Sequence, residues 1–257
     1  PDEEGDIYHS ALWLTHHGAQ AADAVRLTND GPVSHPRLSP DASSVAFLGR
    51  RGGDSRPSPY VLPLGGGEAR RVPGVDHLHV EAIQEWSTDG KRLLVLVAVQ
   101  HAEDARDDVA HPARPHVIRF APYKLDGNGY TVGVRTHLFE VDTTEAVSPK
   151  PLTSGERDVM AGTRSPDGRR LAYVARGDGK QRHRSTLWLI EDGSAPRMLS
   201  DAFATVSELA WSPNGRELAF SAGEIEGCSA SHAYVWSDAG VRGPLLPHPL
   251  EGALVWA

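Results

Sequence analysis

Thr163-Arg164-Ser165-Pro166-Asp167-Gly168-Arg169-Arg170-Leu171-Ala172-Tyr173-Val174 holds a tight turn and the apolar strand that leaves it. Pro presets φ at the second turn position, Asp caps locally, and Gly takes the left-handed position that closes the hairpin. The pattern recurs three times. Arg37-Leu38-Ser39-Pro40-Asp41-Ala42-Ser43-Ser44-Val45-Ala46-Phe47-Leu48 precedes it, as does Glu85-Trp86-Ser87-Thr88-Asp89-Gly90-Lys91-Arg92-Leu93-Leu94-Val95-Leu96. Ala210-Trp211-Ser212-Pro213-Asn214-Gly215-Arg216-Glu217-Leu218-Ala219-Phe220-Ser221 follows. In the first copy Ala42 stands where the others have Gly, which predicts strain or a slightly different turn.

The four serines lie at 39, 87, 165 and 212, so the steps are 48, 78 and 47. The middle step reads as one period lengthened by about 30 residues. A third apolar strand follows each hairpin, at Tyr60-Val61-Leu62, His137-Leu138-Phe139-Glu140-Val141, Thr186-Leu187-Trp188-Leu189-Ile190 and Ala233-Tyr234-Val235-Trp236. A short fourth strand is expected at Arg71-Val72, Pro151-Leu152-Thr153, Met198-Leu199-Ser200 and Leu245-Leu246. Four strands in about 45 residues is the signature of a propeller blade.

The expected fold is therefore all-β, a β-propeller of four complete four-stranded blades plus partial blades at both ends. The expected blade bounds are approximately 28–74, 75–153, 154–201 and 202–247 within one domain, with partial units at 1–27 and 248–257. At the start, Ala11-Leu12-Trp13-Leu14 and Arg26-Leu27-Thr28 match the last two strands of a blade; Leu254-Val255-Trp256 matches the first strand of another. A β-sandwich with coincidental turns is the alternative. Trp13, Trp86, Trp188, Trp211, Trp236 and Trp256 fall at matching strand positions and read as core between blades.

Composition narrows the function classes. A net charge of -8 with no long basic run lacks the electrostatic footprint of a nucleic-acid binder. The longest apolar run, Leu93 to Val99, is strand-sized and too short to cross a bilayer, so no membrane partner is expected. The single cysteine, Cys228, forms no internal disulfide and fits a cytoplasmic setting. The chain opens at Pro1 and ends inside a repeat unit; both ends are expected to be cut, and missing targeting signals carry no weight.

Candidate chemistry is sparse. Among thirteen histidines, His77 and His79 could share a strand face, and His101, His111 and His116 sit with Glu103, Asp104, Asp107 and Asp108. Neither group has a known ligand spacing, so no metal and no cofactor is expected. Gly65-Gly66-Gly67 precedes no helix and reads as a strand connection rather than a phosphate loop.

The lengthened unit carries the segment Arg114-Pro115-His116-Val117-Ile118-Arg119-Phe120-Ala121-Pro122-Tyr123-Lys124-Leu125-Asp126-Gly127-Asn128-Gly129-Tyr130, continuing to Arg135-Thr136-His137-Leu138-Phe139. With the Ser-turn hairpins, and with Asp2-Glu3-Glu4-Gly5 before Ser10-Ala11-Leu12-Trp13, this resembles the propeller domain of the prolyl oligopeptidase family of serine peptidases, in its acylaminoacyl-peptidase and dipeptidyl-peptidase branch. The resemblance covers nearly the whole chain. It implies a C-terminal α/β-hydrolase domain carrying the catalytic Ser, Asp and His, and short peptides as substrates. The hairpins alone would also fit a TolB-like scaffold.

No catalytic residue is expected within these 257 residues. The Gly-x-Ser-x-Gly elbow is missing, and Gly227-Cys228-Ser229-Ala230-Ser231 lacks its second Gly. The insertion from Gln100 to Arg135 joins the second and third strands of its blade. Its candidate substrate-binding or gating residues are Arg119, Tyr123, Lys124 and Asp126, around a Gly-rich turn. A hairpin that only covers the neighbouring blade is the other reading of the same residues. For the molecule, the alternatives are a gating propeller of a peptidase, a stand-alone binding scaffold, and a metal-dependent propeller enzyme.

Overall fold

The computed structural model describes residues 10–16, 18, 23–29, 31–100, 124–125, 129–130, 133–177, 183–225, 230–250, 254 and 256. Strands β1 (Trp13–Leu14) and β2 (Val25–Arg26) form a two-stranded antiparallel sheet. The first four-stranded sheet runs in sequence order through β3 (Val33–Leu38), β4 (Ser44–Gly49), β5 (Ser58–Pro63) and β6 (Arg70–Arg71). The second contains β7 (His79–Trp86) and β8 (Arg92–Gln100). Its chain then passes through β9 (Lys124–Leu125) and β10 (Gly129–Tyr130), a separate two-stranded pair, before β11 (Val134–Asp142) and β12 (Lys150–Pro151) complete the order β12-β11-β8-β7.

The third sheet is β13 (Val159–Arg164), β14 (Arg170–Arg176), β15 (Ser185–Glu191) and β16 (Arg197–Ser200). The fourth is β17 (Thr205–Trp211), β18 (Leu218–Gly223), β19 (His232–Ser237) and β20 (Gly240–Arg242). Successive four-stranded antiparallel sheets joined in this way make the fold a β-propeller. Two compact units divide the chain, residues 1–97 with 140–150 and residues 98–139 with 151–257.

The hairpin turns repeat atom for atom. Ser39, Ser87, Ser165 and Ser212 donate from Oγ to the acid or amide two residues on, at Asp41, Asp89, Asp167 and Asn214. Each Oγ also accepts the backbone N–H five residues on, from Ser44, Arg92, Arg170 and Glu217. The residue three after each serine donates its N–H back to the serine carbonyl from a left-handed backbone: Ala42 at φ 54°, Gly90 at 66°, Gly168 at 73° and Gly215 at 67°. Ala42 thus adopts the glycine conformation with a Cβ attached, which is the expected strain.

The second strand of each sheet is buried on both faces, as in β4, β14 and β18. Runs such as Val45-Ala46-Phe47-Leu48 are therefore continuous rather than alternating. In the first unit Val33, Val45, Phe47, Tyr60 and Leu62 form one core cluster. In the second, Leu187, Leu189, Phe203, Val206, Trp211, Phe220 and Tyr234 belong to another. Fourth strands are short and, except for β16, fully exposed. Their Arg, Lys and Pro residues discourage pairing with another sheet.

First strands are interrupted. β3, β13 and β17 each carry a register shift against the second strand, between Ser34 and Arg37, Val159 and Ala161, and Ser207 and Leu209. His35 and Glu208, both four residues before a hairpin serine, take left-handed φ values of 52° and 47°.

Two expectations are corrected. The last fourth strand lies at Gly240–Arg242, not at Leu245-Leu246, because Ser237 pairs with Gly240 and the chain reverses within two residues. Leu245 and Leu246 fall between Pro244 and Pro247, which have no N–H to lend a ladder. Trp13 is 59% exposed rather than core, with the Arg26 guanidinium 5.9 Å over its ring.

Candidate functional site

The lengthened repeat places an insertion between β8 and β11, as its sequence position predicts. Its Lys-x-Asp-Gly-x-Gly-Tyr core forms the β9–β10 hairpin, in which Lys124 lies opposite Tyr130 and Leu125 opposite Gly129. Arg119, Tyr123 and Asp126 lie outside the described residues, as do Ser229 and Cys228. Of the four candidate gating residues, the structure therefore locates Lys124 on a strand of that hairpin.

The strand that carries the chain out of the insertion has a polar root. Arg135 and His137 alternate along β11 and are 2% and 4% exposed. The Arg135 guanidinium donates from Nε to the Glu156 carbonyl at 3.0 Å and from Nη1 to the Val134 carbonyl at 2.8 Å. It also lies 3.6 Å from the exposed Glu156 carboxylate. Thr153 Oγ1 accepts the Leu138 N–H and sits 3.5 Å from His137 Nδ1, while the Asp158 carboxylate accepts the Thr136 N–H. Burying a guanidinium is costly unless its donors are satisfied, and here two main-chain carbonyls accept from it. The Arg-x-His alternation in an otherwise apolar strand was the signal for this root.

A second polar feature joins the third and fourth sheets. An open cleft of about 680 Å³ is bounded by the hairpin residues Arg169, Arg170, Asn214 and Arg216 and by Asp192 and Asp238. Arg169 pairs bidentately with Asp192 at 2.9 and 2.8 Å. That contact lowers the Asp192 pKa and raises that of Arg169. Arg170 bridges Glu191 at 3.0 Å and Asp238 at 3.4 Å. These ion pairs leave a polar surface on which carboxylates outnumber guanidinium groups. Sequence reading missed the cleft because its residues converge from four loops.

In the root, the Thr153 hydroxyl beside His137 is buried and accepts the Leu138 N–H. Ser237 lines the cleft, while Ser165 and Ser212 in the adjoining turns are 1% and 3% exposed, and each of these two hydroxyls both donates and accepts within its own turn. Among the described residues no three His, Cys, Asp or Glu side chains are grouped to hold a metal ion.

Sheet joins sheet through tryptophan. Trp86 donates its indole N–H to the Arg37 carbonyl of the preceding first strand at 2.9 Å. Trp211 does the same to Thr163 at 3.2 Å, and Trp256 to Ala210 at 2.8 Å. Each Trp immediately precedes, or stands in register with the residue preceding, a hairpin serine.

No protein-family model matches the chain. Among curated proteins it is 31% identical, over 178 residues, to the peptidase YuxL of Bacillus subtilis, a match covering 68% of this chain and 26% of that protein. The acylaminoacyl peptidase of Pyrococcus horikoshii superposes with a TM-score of 0.58 at 19% identity, covering 86% of this chain and 33% of that one. The chain thus shares sequence with a peptidase and its β-propeller fold with the acylaminoacyl peptidase. TolB of Acinetobacter baumannii also superposes, with a TM-score of 0.55 at 17% identity, covering 85% of this chain and 45% of that one. Both likenesses are of fold, which does not by itself fix function. The chain spans about a quarter of the length of the curated peptidase it matches.

Proposed function

We propose that this chain is the non-catalytic propeller region of a serine exopeptidase, and that it gates the access of short peptides to an α/β-hydrolase domain of the same polypeptide. The observation that carries the reading is the 31% identity to a peptidase over 178 residues. Within that framework the insertion between β8 and β11 is the gate. It is the one place where the repeat is lengthened, and long loops on rigid scaffolds are where binding residues concentrate. The buried root at Arg135 and His137 supports this role, because it anchors one end of the insertion to the sheet.

Selection here is by size. A peptide short enough to pass the gate reaches the nucleophile, whereas a folded protein does not. Deleting Ala102 to Ala113 from the product of the complete gene, and separately replacing Lys124 and Asp126 with Ala, tests the gate. The reading expects a relaxed dependence of kcat/KM on peptide length in the deletion, and a fall in kcat/KM for short peptides in the double variant. Length profiles identical to the parent in both would contradict gating and favour a hairpin that only covers the neighbouring blade.

A further inference from the structure

Three of the hairpin turns place an acid two residues after the serine, at Asp41, Asp89 and Asp167; the fourth places Asn214 there, followed by Gly215. Asn before Gly is the pair that loses a side-chain amide most readily, because a glycine nitrogen has no Cβ beside it to hinder attack on the amide carbon.

In the folded turn both reacting groups are tied. Asn214 Oδ1 accepts the Ser212 hydroxyl at 2.8 Å and the Arg216 N–H at 3.0 Å. The attacking nitrogen is held too, since the Gly215 N–H donates to the Ser212 carbonyl at 2.8 Å. Reaction therefore requires the turn to open. Water has access, because Asn214 is exposed and lines the open cleft with Gly215 and Arg216.

The bonds made by Asn214 Oδ1 are those the acids make elsewhere. Asp89 accepts from Ser87 and the Lys91 N–H, and Asp167 from Ser165 and the Arg169 N–H. A carboxylate at position 214 can re-form each of them, with the added strength of a charged acceptor.

We propose that Asn214 is a modification site, at which opening of the turn permits deamidation to the acid that the other three turns carry. In the opened turn the Gly215 nitrogen gives its proton to hydroxide and bonds to Asn214 Cγ. The Cγ–Nδ2 bond breaks, and Nδ2 takes up a proton and leaves as ammonia. Water then opens the cyclic imide. Cleavage between Gly215 N and Cγ leaves aspartate in an unaltered main chain. Cleavage between Gly215 N and the main-chain carbonyl leaves isoaspartate, which lengthens the main chain inside the span bridged by the Ser212 and Glu217 hydrogen bonds. The aspartate product adds a carboxylate to a cleft where carboxylates already outnumber guanidinium groups. Water is the sole co-reactant, so the site does not depend on the peptidase reading.

The product of the complete gene is incubated in mildly alkaline buffer, folded and in urea, and the Asn214 peptide is followed by mass spectrometry for amide-to-acid exchange. Ser212→Ala and Gly215→Ala are followed beside it. The folded parent is expected to convert, about tenfold or more slowly than the urea-unfolded chain, because only the opened turn reacts. Ser212→Ala, which frees Asn214 Oδ1 from the hydroxyl, is expected to convert several-fold faster than the folded parent. Gly215→Ala restores the hindering Cβ and is expected to abolish most of the conversion. That variant is compatible with the fold, since Ala42 occupies the same turn position at φ 54° and the added Cβ would meet Pro166 Cδ at 3.5 Å. Asn214→Asp is expected to melt no lower than the parent. Conversion in the folded parent no faster than in Gly215→Ala would overturn the site. Equal rates in the folded and unfolded parent would overturn control by the turn, and a lower melting temperature for Asn214→Asp would overturn the equivalence of the four turns.

Discussion

Ala42 shows how strictly the repeat constrains a single residue. Its φ of 54° is the value that glycine supplies in the other three turns. A Cβ in that region costs about 1–2 kcal/mol, whereas glycine gives up about 0.5–1 kcal/mol of extra chain entropy on folding. Strain outweighs entropy, so Ala42→Gly is expected to stabilise the protein by about 0.5–1 kcal/mol, read as a higher urea midpoint at unchanged slope. The turn acids carry a second signature. Hydrogen bonds from Ser39 and the Ser43 N–H and hydroxyl hold Asp41 down to about 2, and Ser87 with the Lys91 N–H does the same for Asp89. Because the folded values lie below the ordinary aspartate value of about 3.9, this stabilisation is complete above about pH 4 and is lost as pH falls toward 2. Replacing both by Asn, the residue the fourth turn uses at Asn214, keeps the acceptor and removes the titration. The double variant should lose stability less steeply between about pH 4 and 2; a slope equal to the parent's would show that these acids do not drive acid unfolding.

At the scale of elements, contact between sheets rests on small residues as much as on tryptophan. Gly162 on β13 faces Leu138 of β11 so closely that an added Cβ would stand 2.4 Å from Leu138 Cδ1, and Leu138 is fully buried. Gly162→Ala is expected to cost about 1–3 kcal/mol through overpacking. Combined with Leu138→Ala, it should cost less than the sum of the two single changes, because each fills or vacates the same space. Strict additivity in that cycle would place the strain elsewhere. The strands themselves were legible because β4, β14 and β18 are buried on both faces and read as unbroken apolar runs. Their turns were legible because Ser, Asp and Gly each perform a separate hydrogen-bonding or conformational task. The fourth strand at Gly240–Arg242 is not marked by apolarity, because an exposed edge strand needs no apolar residue, whereas the apolar pair Leu245-Leu246 lies outside it. Bulges at His35 and Glu208 left no sequence mark either, since neither residue is one that favours a left-handed backbone as glycine does.

For the whole molecule, the repeat specified the architecture and said nothing of chemistry. Hydrogen-bonded turns, apolar second strands and tryptophan staples recur in sheet after sheet because each sheet must bury its faces against its neighbours. A functional residue has no such reason to recur. Arg135 is buried with its donors accepted by Glu156 and Val134, whereas Glu208 is exposed at a left-handed φ that His35 shares. Their neighbours are set by the three-dimensional fold, so their surroundings could not be read from spacing. The cleft built by Arg169, Arg170 and Asp238 illustrates the same limit, since its residues lie far apart in the chain. Similarity to a peptidase motivates the proposed function, and the division of labour between gate and hydrolase is part of that proposal. Treating the purified product of the complete gene with a serine-directed fluorophosphonate, then mapping the labelled peptide by mass spectrometry, tests that division most directly. The account predicts stoichiometric label on one serine outside residues 1–257, in a Gly-x-Ser-x-Gly sequence, and none on Ser39, Ser87, Ser165 or Ser212. Label on any serine within these residues, or no label at all, would contradict it.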